Sequence, residues 1–472
     1  MFPSRLVPWF IAASFLVGCA SRPINEPITQ VDLASGYRPN LLIPRRENNE
    51  LSTLFVLSFS GGGTRAAALS YGVLEELRSA TIKVGYEQRR LIDEVDLITG
   101  VSGGSFTALA YALYGDKLFE EYEDRFLKRD VQSTLMWRSF NPFNWGKLLS
   151  GNYGRSELAA EYYDEILFEG ATYADLLELP GPVAIANGTE ISSGSRLAFY
   201  QQDFDLLCSD LSSVSLSRAA ATSSAVPVVL SPVTFNNYGG SCGYEYPPWA
   251  ADILVVDEHE RPAGRALERL RDMHMFQDSV RMPYLHLVDG GVSDNIGMRG
   301  VLEALEEASV SKKFKAESGF SKVRRIVVIV VNARSEASSD VGMKESPPGL
   351  TNQLLQSSGV PIERFSFETV ELLRDRFAIT SWRRRLRVLE AQAAGATSEE
   401  AEDMVPKVKM HLVEVSFDRV SDPHQRNYLK NLPTSFVLPP EDVDELRAAA
   451  GELLRQSPGY QHLLEELGGT MK

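Results

Sequence analysis

The sequence predicts an α/β fold in which strands lie buried between helices. Several apolar runs are continuous rather than alternating, as strands covered on both faces require. Helical stretches alternate with these runs along the chain. Two strand-to-helix junctions are built largely of glycine.

In chain order, "LFVLSFS" (Leu54 to Ser60) reads as the first strand, followed by the helical "TRAAALSYGVLEELRSA". "EVDLIT" reads as a second strand, leading into the helical "GSFTALAYALYG". Further strands are expected at "PVAIANGTEI", "LHLVD", "RRIVVIVVNA" and "VKMHLVEVSF". Residues 116–180 and 236–283 are too long for simple connections and read as insertions over the sheet. The first carries Trp137, Phe140, Phe143 and Trp145. These either line an apolar site or form the insertion's own core, and the second is expected because exposed apolar patches are uncommon. The second contains "NNYGGSCGYEYPPW" and a charged helical piece. The main body is assigned to residues 51–335, with residues 336–472 as a C-terminal α/β extension packed on it and helical beyond Pro439.

Apolar residues make up 44% of the 472-residue chain and charged ones 24%, as in a protein with a substantial core. A formal charge of −15 argues against nucleic acid as a partner and against electrostatic docking on anionic lipid. Histidines and cysteines are scattered and no Ca²⁺-loop spacing occurs, so neither metal nor cofactor is implied.

The N-terminus has one positive charge, Arg5, then an apolar stretch too short for a comfortable membrane span. It ends in Leu16-Val17-Gly18-Cys19, which resembles a bacterial lipobox. That resemblance implies a signal peptide over residues 1–18, a lipid on Cys19, and a polar tether through residue 50. Removing residues 1–18 takes away only Arg5, so the charge becomes −16. Ala20 and Ser21, with no aspartate beside the cysteine, resemble outer-membrane sorting in the bacterial cell envelope. The remaining cysteines, Cys208 and Cys242, either pair in an oxidising compartment or sit apart as buried thiols.

The pattern G-x-S-x-G occurs twice. Ser102, in "GVSGG", follows a strand and precedes a helix, as a nucleophile elbow demands; Ser241, in "GGSCG", is followed by "YEYPPW" and reads as a loop. Ser102 is therefore the candidate nucleophile. Gly61, Gly62 and Gly63 end the first strand just before a helix, where their N–H groups can converge on an oxyanion. Arg65 either steadies that loop or adds positive charge. None of the six histidines lies in a triad-like motif, and His286, within a strand, reads as a hydrogen-bonded core residue. Asp289, before Gly290 and Gly291 at a strand end, can reach Ser102 directly, although Asp-Gly-Gly is also an ordinary turn.

Together, Gly61-Gly62-Gly63-Thr64-Arg65, Gly100-Val101-Ser102-Gly103-Gly104 and Asp289-Gly290-Gly291 resemble the patatin-like phospholipase family in order and spacing. "SRAAATSSAVPVVLSPV" is similar to that family's small-residue helix ending in proline, here Pro227. The resemblance covers roughly residues 52–335. It implies a three-layer α/β/α sheet and a Ser–Asp dyad without histidine: Ser102 as nucleophile, Asp289 as base, and Gly61–Gly63 with Arg65 at the oxyanion. It also implies a lipid or phospholipid substrate. The chain departs from the family at Ala66, where glycine is common, and at Gly297, near the place of a frequent proline.

The expected function is thus a membrane-anchored serine lipid acyl hydrolase of phospholipase A or lysophospholipase type. The alternatives are an idle envelope lipoprotein that binds lipid or a partner, and an acyltransferase using the same dyad. Oligomeric state is left open.

Overall fold

The computed structural model describes residues 21–46, 52–253, 264–311, 313, 322–335, 345–405 and 407–470. Residues 1–18, expected to form a signal peptide, and Cys19 lie outside the described residues. In chain order the strands are Thr53–Phe59 (β1), Thr81–Val84 (β2), Glu87–Arg90 (β3), Leu97–Gly100 (β4), Val183–Glu190 (β5), Arg196–Ala198 (β6), Val233–Asn236 (β7), Tyr284–Asp289 (β8), Arg325–Asn332 (β9) and Lys409–Ser416 (β10). The helices that bear on the site are Gly63–Ser79 (α1), Gly103–Tyr114 (α2), Val131–Phe140 (α3), Pro142–Leu148 (α4), Arg155–Tyr163 (α5), Leu216–Ser223 (α6), Arg299–Val310 (α7), Leu350–Ala393 (α8) and Pro440–Gln456 (α9).

The main sheet runs β10-β9-β1-β4-β5-β8-β7, with β6 paired to β5. From β10 to β5 neighbouring strands are parallel; β8 and β7 then join antiparallel. Period-2 alternation in β1 and β9 sends side chains to two separate cores. Phe55, Leu57, Phe59, Val327, Ile329 and Val331 face one, which also holds α1, α2 and α9; Val56, Val328 and Val330 face the other, with Leu302 of α7 and Val370 and Leu373 of α8. Each such fully buried side chain contributes about 1.5–3 kcal/mol. Helices on both faces make the three layers that the sequence leads one to expect.

The C-terminal third is part of the sheet rather than an extension laid on it. β10 pairs with β9 in register from Lys409–Arg325 to Ser416–Asn332. α9 packs so closely on α1 that a Cβ on Gly72 would lie 2.5 Å from the Arg447 carbonyl oxygen. Nor do the described residues 21–46 form a free tether. Arg38 pairs with Asp205 at 2.7 Å, both 2% exposed; Ile28 N–H donates to the Cys208 carbonyl (2.8 Å), and the Tyr37 hydroxyl accepts from Ala184 N–H (2.8 Å).

The 236–283 segment is the connection between the antiparallel strands β7 and β8. A Cys208–Cys242 disulfide fastens it to the body, which settles the open alternative for those residues. Tyr122, Phe126, Tyr163 and Phe168 of the 116–180 segment are buried in the main core, but the cluster Trp137, Phe140, Phe143 and Trp145 does not form a core of its own. Trp137, Phe140 and Phe143 are exposed by 71%, 73% and 93%. His286 is exposed rather than buried, on the outer face of the edge hairpin, with Nδ1 2.9 Å from Thr234 Oγ1.

Candidate active site

The site forms where β1, β4 and β8 end. Ser102 lies on the two-residue turn between β4 and α2, with φ 49° and ψ −122°. That left-handed geometry costs a non-glycine residue on the order of 1–3 kcal/mol, and here it lifts the side chain clear of the sheet. Small neighbours make so tight a turn possible. A Cβ on Gly104 would meet the Phe59 carbonyl oxygen at 2.5 Å, and one on Gly103 would meet the Gly63 oxygen at 2.0 Å. The nucleophile turn is thus pressed backbone-to-backbone against the first glycine loop.

The glycine loop divides its tasks. Gly61 N–H is already committed to the Asn295 carbonyl (3.1 Å), so Gly61 is not a free oxyanion donor; a Cβ there would strike Asn295 Oδ1 at 2.4 Å. The N–H groups of Gly62, Gly63 and Gly103 have no acceptor among the described residues. They stand at the N-termini of α1 and α2, whose dipoles point positive ends at the same place. Gly103, the residue after the nucleophile, escaped sequence reasoning as a donor although its place in "GVSGG" was visible. Arg65 is buried behind the loop. Its guanidinium donates to the carbonyls of Ala333 (3.0 Å) and Leu432 and to Thr434 Oγ1 (2.9 Å). It steadies the loop from the rear, tying the ends of β1 and β9 to the C-terminal segment, and its side chain does not enter the site.

Asp289 ends β8 and is buried, 7% exposed. Burial pushes its carboxyl up to about 6, while hydrogen bonds from Gly291 N–H (2.7 Å) and the Ser102 hydroxyl pull the other way. The Ser102 and Asp289 side chains are thus neighbours at the strand ends, and among the described residues no histidine bonds to either. Neighbouring polar groups fix the strand ends. Thr189 Oγ1 donates to the Asp289 carbonyl (2.9 Å), and Asn187 Nδ2 donates to Thr99 Oγ1 (2.9 Å) and the Gly100 carbonyl (3.0 Å). Past the dyad the chain turns at Gly297 with φ +74°, a value closed to proline, and Gly297 N–H donates to Asp294 Oδ1 (3.0 Å). Ser241 sits on an exposed loop, away from any strand-to-helix turn.

A family model for patatin-like phospholipase matches residues 57–302, more than half of the chain. The chain belongs to the patatin-like phospholipase family. Among solved structures it is similar to human GIVD cytosolic phospholipase A2, with TM-score 0.45, 11% identity and coverage of 89% of this chain and 60% of that one. It is also similar to VipD from Legionella pneumophila, with TM-score 0.31, 13% identity and coverage of 95% and 71%. The chain thus spans less than two thirds of the length of the phospholipase A2 chain. No curated protein sequence matches it.

Proposed function

We propose that this protein is a serine lipid acyl hydrolase of phospholipase A or lysophospholipase type, working through an acyl-enzyme. The observation that carries the reading is a buried carboxyl, Asp289, beside a serine on a strained turn; burial raises that carboxyl to about 6. A base of that strength is mostly ionised at neutral pH and still accepts a proton readily.

Asp289 takes the Ser102 proton as Oγ adds to the ester carbonyl. The oxyanion that forms is held by the N–H groups of Gly62, Gly63 and Gly103; one such donor is typically worth about 2.7–4 kcal/mol of barrier. The C–O bond to the leaving alcohol breaks, and that alcohol receives the proton from Asp289. Water then adds to the acyl-serine with Asp289 again as base, releasing the fatty acid and restoring Ser102. A lipid on Cys19 keeps so acidic a chain on a bacterial envelope membrane, and Ala20-Ser21 favours the outer one.

The test is product analysis. Phosphatidylcholine vesicles or lysophosphatidylcholine micelles incubated with the protein are expected to release fatty acid from at least one of the two, and Ser102→Ala from neither. Equal yields from Ser102→Ala, or no turnover by folded wild type, would contradict the reading. Loss of radiolabelled palmitate in Cys19→Ser tests the anchor separately.

A further inference from the structure

The hairpin formed by α3 and α4 has the opposite polarity to a helix pair lying on a protein in water. Its outward side is mostly apolar: Met136, Trp137, Phe140, Phe143, Trp145 and Leu149 are all exposed, with Gln132 and Ser133 the polar residues beside them. Its two cations lean toward the neighbouring helix in ion pairs that stay partly exposed. Arg138 forks onto Glu165, with Nη1–Oε1 at 2.9 Å, and lies 4.4 Å over the Tyr162 ring; Lys147 reaches both oxygens of Glu161 at 2.9 Å. These ion pairs link the hairpin to α5 and the 164–168 segment, while the aromatic side chains point away from them into solvent. Contiguous exposed apolar surface of this kind marks a docking site.

Both roots of the hairpin are fixed to loops of the Ser102 site. At one end Gln132 and Phe436 exchange hydrogen bonds at 3.2 Å, and the carbonyl of the adjacent Ser435 accepts Thr64 N–H (2.8 Å) beside the glycine loop. At the other, Ser156 N–H donates to Ser231 Oγ (3.1 Å) and Arg155 Nη2 to the Val228 carbonyl (3.1 Å). That second loop follows Ser223, whose hydroxyl holds Ser102 N–H (2.9 Å), and it adds the exposed Val228 and Val229 to the apolar surface.

The chain's N-terminal side leaves the body at the same edge. Arg22 donates to the Thr234 carbonyl (3.0 Å), three residues beyond Ser231 in the chain. Cys19 lies only three residues before Arg22, a reach of about 10 Å at most. An acyl chain on Cys19 therefore enters a bilayer lying close to β7 and to the root of the hairpin.

We propose that the outward face of Val131–Leu149, with Val228 and Val229, is a docking surface for a zwitterionic phospholipid bilayer, and that it delivers lipid to the Ser102 site. Its purpose rests on the lipid-hydrolase reading; its geometry does not. Tryptophan and phenylalanine suit the headgroup boundary, and attachment there grows with apolar area buried. The only cations of the segment, Arg138 and Lys147, are already paired, and the chain carries −15, so anionic headgroups gain nothing here.

The test uses the mature chain, residues 19–472, with Cys19→Ser so that no acyl chain contributes. It is mixed with phosphatidylcholine vesicles, some with brominated acyl chains, and floated on a gradient. The triple variant Trp137→Gln, Phe140→Gln, Phe143→Gln is run beside it. Binding that is insensitive to salt, quenching of tryptophan by the brominated lipid, and at least about tenfold weaker binding by the variant are expected. Equal binding by both proteins, no binding by the parent, or an oligomer abolished by the variant without vesicle binding would each overturn the proposal. Turnover of a water-soluble short-chain ester, expected to be equal in both, reports the dyad independently. Its absence would sink the hydrolase reading while the flotation result still decided the docking surface.

Discussion

Ser223 is bonded to both halves of the dyad's scaffold: its hydroxyl accepts Ser102 N–H at 2.9 Å, and its carbonyl accepts Gly290 N–H at 3.2 Å. A single residue at the end of α6 thus sets the distance between the nucleophile turn and the Asp289 turn. Ser223→Ala is expected to lower kcat by about ten- to a hundredfold with KM little changed, because misplaced reacting groups lose rate more than binding. The pH midpoint should stay where it is, since the base itself is untouched. Steady-state kinetics on a short-chain ester check this; an unchanged kcat would contradict it.

Acidity gives a second outcome. The rate should rise with pH through about 6 and level off above, as Asp289 becomes able to accept a proton. Stability should run the other way. A carboxyl raised above its unfolded value favours the fold fully below about pH 4, and that contribution is lost as pH rises through about 6. Asp289→Asn removes the buried charge. The variant should be nearly inactive yet more stable than wild type at pH 7, on the order of 3 kcal/mol, with the gap closing toward pH 4. Urea melts across that range measure it.

Arg65 acts on the loop through three acceptors, the Ala333 and Leu432 carbonyls and Thr434 Oγ1. One ammonium cannot replace that fork. Arg65→Lys should cost about 2 kcal/mol or more of stability and lower kcat together. A loss of rate with stability intact would instead indicate direct contact with the oxyanion.

The Cys208–Cys242 bridge closes a stretch of 34 residues around β7. Chain-entropy reasoning assigns such a crosslink about 3–4 kcal/mol. Cys208→Ser with Cys242→Ser should lower stability by roughly that amount, as read by calorimetry. Labelling of Ser102 should persist, because the bridge lies outside the dyad's hydrogen bonds.

Much of this architecture was legible in the sequence because it is local. Buried parallel strands announce themselves as unbroken apolar runs, as β1 and β9 do, and the shorter apolar stretches of β4, β5, β8 and β10 were also visible. β3, "EQRR", and the four-residue β7 were not, being short, polar or at an edge. Pairing between distant segments was equally hidden: "VKMHLVEVSF" reads as a strand, but nothing local says that Lys409 stands beside Arg325. At the site, Ser102 and Asp289 could be singled out from their glycine contexts. Ser223 could not, since one serine in a small-residue helix looks like any other. The outward turn of Trp137 and Phe140 was misread for a general reason. Sequence assigns apolar residues to cores unless a second surface, such as the bilayer proposed above, is admitted as an alternative solvent.

The proposed mechanism turns on Asp289 activating Ser102 without a histidine. Intact-mass analysis after fluorophosphonate treatment tests it most directly, on wild type, Ser102→Ala and Asp289→Asn. One adduct on wild type, none on Ser102→Ala, and markedly slowed labelling of Asp289→Asn are expected. An adduct that survives Ser102→Ala, or forms at the wild-type rate in Asp289→Asn, would contradict it.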